Sequence, residues 1–155
     1  MLLIMETTTE KNIATFTHLS TLSQYIIPFG NYIIPIIIWT TNKDKSEFVD
    51  HHGKQTLNFQ LSLLVYTLVL ALIAVPIFIF TVIKNIPFQE WNRHHEFVWN
   101  DFSFGDNLGI ITIGLIAVFL FCSMKVIEFF LIIYASIKAS NGEKYNYPLT
   151  IPFIK

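Results

Sequence analysis

Charge is scarce in this chain. Asp, Glu, Lys and Arg make up 14% of its 155 residues, against about 25% in an average soluble domain. Hydrophobic residues reach 53%, with fifteen Phe among them. A soluble domain this small cannot hide so much apolar surface, so a membrane environment is implied. The chain holds one cysteine, Cys122, which excludes an intrachain disulfide and leaves the redox compartment open. The net charge of −1 gives no surplus of Lys and Arg. A nucleic-acid partner is therefore not expected, because phosphate binding needs a basic face. The start, Met1 to Glu6, has no basic flank and too short an apolar core for a signal peptide, so an unprocessed N-terminus is expected. There is no internal repeat and no low-complexity tract.

What the chain does have is three charge-poor runs, bounded by Lys11 and Lys43, Lys54 and Lys84, and Asp106 and Lys138. A hydrocarbon core about 30 Å thick needs roughly 20 apolar helical residues, and each run is long enough. The expected fold is an all-α polytopic membrane protein, a single domain over 1–155. Its three transmembrane helices fall near 13–39, 56–83 and 108–136. A polar loop covers 40–55, an aromatic-rich loop 84–107 and a polar tail 138–155.

Pro28-Phe29-Gly30-Asn31 and Pro35 interrupt the first run. Proline removes a backbone donor there, so a straight helix is not expected. A single kinked or broken crossing fits, and a re-entrant hairpin hinged at Gly30 is the alternative. Thr17, Thr21 and Gln24 recur at helical spacing beside His18, a stripe suited to facing protein rather than lipid. In the second run Asp50, Lys54, Asn58, Ser62 and Tyr66 recur every four residues, and Pro76 suggests a kink. Gly53 weakens that helix locally. With three crossings, Lys43, Lys45, Lys54, Lys138, Lys144 and Lys155 share one side of the membrane. The positive-inside rule makes that side cytoplasmic, giving an N-out/C-in arrangement.

The third run carries Lys125 and Glu128 three residues apart. A charge in mid-membrane costs about 2.5–3.5 kcal/mol even on gentle scales, so this pair is a candidate site. At i,i+3 the two can neutralise each other between helices, or contact a partner helix. A proton relay that includes His18 and Gln24 is the sharper reading. His51-His52 and His94-His95-Glu96 lack the i,i+4 spacing of a zinc helix, and no metal site is expected. Cys122 lacks a neighbour that would activate it and reads as an apolar filler. Gly109, Gly114 and Ala117 offer close helix approach. No nucleophile elbow or phosphate-cradling loop appears, so no catalytic residue and no cofactor are named.

Several blocks go together: His18-Leu19-Ser20, Ile27-Pro28-Phe29-Gly30-Asn31, Phe48-Val49-Asp50-His51-His52-Gly53-Lys54-Gln55, Leu57-Asn58-Phe59-Gln60, Lys138-Ala139-Ser140-Asn141-Gly142-Glu143, and the ending Tyr145 to Lys155. This set resembles a widespread bacterial family of small helical membrane proteins without assigned function. That family is grouped distantly with a membrane subunit of the chloroplast inner-envelope protein-import machinery. The resemblance implies a helical membrane protein of three or four crossings and a place in a larger assembly. Two of the blocks fall on one expected membrane face. Asp50, His51, Lys54, Gln55, Asn58, Gln60, Glu143, Tyr145 and Tyr147 are read there as a cytoplasmic docking surface. The expected function is a non-enzymatic accessory or scaffolding subunit. Its partners are the lipid bilayer and another membrane protein or a second copy. The rival is a component of a transporter or protein-conducting channel.

Overall fold

A computed structural model describes residues 7–84 and 108–155. The aromatic loop, with Trp91, Trp99 and the His94-His95-Glu96 cluster, lies outside the described residues. Those that are described form four α-helices and no strand: α1 (Thr8–Leu19), α2 (Gly30–Asn42), α3 (Glu47–Lys84) and α4 (Leu108–Ser140). Short 3₁₀ turns cover Ser20–Tyr25 and Lys43–Lys45. Contacts gather in two compact units, Met1–Val65 with Lys125–Lys155, and Tyr66–Met124.

Local chemistry sets the ends of α1. Thr7 and Glu10 form a capping box: the Thr7 hydroxyl accepts from the Glu10 amide at 3.2 Å, and the Glu10 carboxylate accepts from the Thr7 amide at 2.7 Å. These bonds hold the Glu10 carboxyl below its ordinary range, and its side chain also reaches Ser46. At the far end the helix tightens into a 3₁₀ turn, and Pro28 cannot continue it. Phe29 then adopts a left-handed φ of 62° and reverses the chain. Gly30 follows because there is no space for more: a Cβ there would meet Ser23 Oγ at 2.5 Å.

The first charge-poor run is therefore two antiparallel helices, and the expected single crossing over 13–39 is not what forms. The contacts fix this. Glu10 is level with Ser46, His18 with His52, Asn31 with Gln60, and Trp39 with Asp50. At 12 and 13 residues, α1 and α2 are each about 18–20 Å long, short of the hydrocarbon core. The hairpin hinge next to Gly30 is the version that the residues adopt. It brings the start of α1 beside the end of α4, where Lys11 lies against Gly142. The start of α1 and the end of α4 thus share one side of the first unit.

Two helices are long and apolar enough to cross a membrane, over Glu47–Phe80 and Ile111–Ser140. Only 6% and 11% of their most apolar windows is buried, which separates them from the core helix of a soluble fold. In the second unit Leu72, Phe78, Leu115 and Phe119 all face outward. No described residue comes within 4 Å of a Cβ built at Gly109 or Gly114, so neither supports the close helix approach that was expected.

The first unit packs on small residues. Ala14, Ala135 and Ala139 are fully buried, letting α1 lie close to α4, with Phe48 filling the space between them. Gly53 does the same for α2, since a Cβ there would enter the Trp39 indole. A full Schellman cap ends α4, with Gly142 amide to Ala139 carbonyl and Glu143 amide to Lys138 carbonyl, both at 3.0 Å, and Gly142 at φ 80°.

Candidate functional site: a polar interior under a docked tail

Helix periodicity places Lys125 and Glu128 on one face of α4, and the antiparallel hairpin brings amides to them. Lys125 Nζ lies 2.8 Å from Glu128 Oε2, and the Glu128 side chain is 1% exposed against 33% for Lys125. Gln24 Nε2 donates to Glu128 Oε1 at 2.9 Å and Gln60 Nε2 donates to the same oxygen at 3.2 Å. Asn31 Nδ2 donates to Gln60 Oε1 at 2.8 Å, and Lys125 also donates to Gln24 Oε1 at 3.3 Å. Five side chains, from α2, α3, α4 and the 3₁₀ turn that holds Gln24, thus close one network around a single buried carboxylate. Such a network rigidifies a unique packing when its members are bonded, and is costly to open.

His18 belongs to a second cluster rather than to this one. Its Nε2 faces His52 Nδ1 at 2.8 Å, and its Nδ1 contacts Tyr147 Oη at 2.9 Å and Thr56 Oγ1 at 2.8 Å. The Thr56 hydroxyl donates to the His52 carbonyl at 2.8 Å, which leaves its oxygen free to accept from His18 Nδ1–H. His52 Nδ1–H then donates to His18 Nε2. His18, His52 and Thr56 are all buried. Phe48 covers the His52 ring at 4.4 Å between centroids.

The tail lies over this interior. Tyr147 is 5% exposed and stacks on Phe59, with centroids 4.0 Å apart and planes within 5°. Gln55 Oε1 accepts from the Tyr147 amide at 3.3 Å, and Ser62 Oγ accepts from the Ile151 amide at 2.8 Å. Asn58 grips Ile154 twice, donating to its carbonyl at 3.0 Å and accepting from its amide at 2.8 Å. His51 Nε2 donates to the Tyr145 carbonyl at 3.3 Å.

The nine residues read as a docking surface thus separate. Gln55, Asn58 and Tyr147 join the tail to α3, with His51 beside Tyr145. Gln60 points to Glu128 instead. Asp50 pairs with Lys54 at 2.7 Å and accepts from Trp39 Nε1 at 2.9 Å. Glu143 pairs with Lys138 at 2.6 Å near the surface. The intramembrane set divides too: Lys125, Glu128 and Gln24 meet, while His18 lies in the histidine cluster. Sequence reasoning placed Ser62 in its polar stripe but gave no role to Asn31, His52, Thr56 or Trp39, nor to the tight fit of Gly53. These depend on partners remote in sequence. Among the described residues no group of three or more His, Cys, Asp or Glu comes together to hold a metal ion.

Exposed apolar helices around a bonded polar interior define a small helical protein associated with membranes. The chain belongs to the magnetosome magnetite crystal formation protein family (MamF_MmsF), whose pattern matches residues 9–154. The likeness to small bacterial membrane proteins read from the residue blocks is met by this family. No curated protein and no solved structure matches the chain.

Proposed function

We propose that this protein is a non-enzymatic accessory or scaffolding subunit of a larger assembly in the bacterial inner membrane. In this reading α3 and α4 cross the bilayer, and the α1–α2 hairpin enters from one side without crossing. Lys11, Lys43, Lys45, Lys54, Lys138, Lys144 and Lys155 then face the cytoplasm together, and both ends of the chain lie there. The observation that carries the proposal is the pairing within the interior. Lys125, Glu128, Gln24, Gln60 and Asn31 bond one another, while long apolar faces of α3 and α4 point outward. Charges bonded in this way act as an internal staple, and the apolar faces are what lipid and partner helices touch. The family description supplies a setting, magnetite crystal formation in magnetosomes. Carried to this chain, it makes the assembly one that serves that process.

Purification from native membranes in mild detergent tests the reading. Stoichiometric co-purification with an unrelated membrane protein supports it, and a clean homo-oligomer or monomer counts against it. The second reading is a transporter or protein-conducting component. It draws on the charged pair in a helix long enough to cross the bilayer, and on the resemblance to a subunit of the chloroplast import machinery. Reconstituted vesicles that gain a conductance or proton leak, lost in Lys125→Met, favour it.

A further inference from the structure

Six of the last nine residues either lack an amide hydrogen or have it bonded within the protein. Two of them, Pro148 and Pro152, have no amide hydrogen. The amides of Tyr147, Ile151, Phe153 and Ile154 are bonded to Gln55, Ser62, the Ile151 carbonyl and Asn58. Two of the side chains that do this, Asn58 and Ser62, are 4% and 0% exposed. The segment follows α3 from Gln55 to Ser62 and then returns to Asn58. Seven helical residues advance about 10 Å, and the direction is away from Glu47, Asp50 and Lys54 into the charge-free run. Meanwhile Leu149, Ile151 and Phe153, at alternate positions, are 83%, 38% and 47% exposed. Leu149 holds a left-handed φ of 56°, a conformation that is strained for a non-glycine residue. The turn therefore presents a large apolar group outward where glycine or asparagine fits with less strain.

Irregular backbone at membrane depth is tolerated only where its polar groups are bonded to protein. The four bonded amides and the outward apolar row of this tail meet that requirement in part, which suits the headgroup–acyl boundary rather than the bilayer centre. We propose that residues 147–155 form a re-entrant anchor in the bilayer, with Leu149, Ile151 and Phe153 against lipid at the headgroup–acyl boundary. The buried amide and hydroxyl on α3 are there to serve the backbone of that anchor, and Lys155 returns to the headgroups. The inference rests on membrane association and not on the accessory-subunit reading, so either can fail without the other.

The test places single nitroxide labels at 149, 153 and 144 in a Cys122→Ser chain held in phosphatidylethanolamine–phosphatidylglycerol nanodiscs. Collision with oxygen, which concentrates in lipid, is compared with collision with a water-soluble nickel chelate. At 149 and 153 the oxygen-to-nickel ratio should exceed that at 144 severalfold, and Asn58→Ala should lower it by freeing the tail. Free access of nickel to 149 overturns the proposal. So does exclusion of both reagents, which means that protein covers the row. Should labelling disturb folding, the unmodified chain is cross-linked to lipids carrying photoreactive acyl chains. Adducts on residues 147–155 are expected, and their absence, with adducts present on α3 and α4, overturns the proposal.

Discussion

His18 Nε2 and His52 Nδ1 meet at 2.8 Å with both rings fully buried. A contact this short holds one proton between the two nitrogens, so the rings act as a donor–acceptor pair that joins α1 to α3. Through Tyr147 the same histidine also joins the tail. His18→Phe keeps the volume but leaves His52 Nδ1 and two hydroxyls without that partner. A cost of about 1–3 kcal/mol for each orphaned group is expected, seen as a fall in thermal midpoint by circular dichroism in detergent. An unchanged midpoint shows that the pair contributes no stability.

Alkaline pH should act on the tail. Burial lifts the Tyr147 phenol well above its ordinary value of 10.0, and Tyr145 and Glu128 push the same way. A group raised in the folded state contributes its stability in full below its unfolded value and loses it as pH climbs toward the folded one. Above pH 10.0 the folded state therefore weakens progressively. A tyrosinate absorbance titration should find one phenol ionising last, together with tail release, and Tyr147→Phe should abolish that final step. A single step shared by all tyrosines would contradict the burial argument.

For the charged pair, the amides that join it change what a double substitution can restore. Lys125→Leu leaves the Glu128 carboxylate without its cation. Because Lys125 is one-third exposed, the cost should fall at or below the lower end of about 3–5 kcal/mol. Adding Glu128→Leu removes the lone charge but orphans Gln24 and Gln60, at about 1–3 kcal/mol each. The double variant should thus stay well below the parent in thermal midpoint and in yield. A double variant as stable as the parent would mean that those amides find other partners.

Gly53→Ala sets a methyl group into the Trp39 ring. Overpacking of this kind costs about 1–3 kcal/mol, and it should also break the 2.9 Å bond from Trp39 to Asp50. Trp39→Ala in the same background should recover part of the loss, because it removes the Cγ and Cδ1 atoms that the methyl meets. Tryptophan fluorescence and thermal unfolding report both effects, and an alanine tolerated without change would show that α2 moves freely on α3.

Residues whose partners are close in sequence were legible beforehand. The Asp50–Lys54 and Lys125–Glu128 pairs follow from helix spacing, and Asn141-Gly142 marks the end of α4 through its αL cap. The Pro28–Asn31 break was legible, but not its direction, because one proline and one glycine permit either a kink or a reversal. The decision came from contacts between distant residues: Asn31 with Gln60, and Trp39 with Gly53. Gly53 illustrates the limit. Read along the chain it only weakens a helix; its use is to let an indole lie against the backbone of α3, and no local pattern encodes that. The two blocks were placed on one face, where they do lie together: α3 holds the tail through Gln55, Asn58 and Ser62.

The first unit combines Met1–Val65 with Lys125–Lys155, which has a consequence for how the protein is made. Gln24 and Gln60 precede their acceptor Glu128 by 104 and 68 positions, and Asn58 waits 96 positions for Ile154. During synthesis the hairpin and the first half of α3 therefore emerge before the carboxylate and the backbone that Gln24, Gln60 and Asn58 bond. A chain interrupted before residue 128 lacks Glu128 and the tail alike, and so leaves these three amides without those bonds.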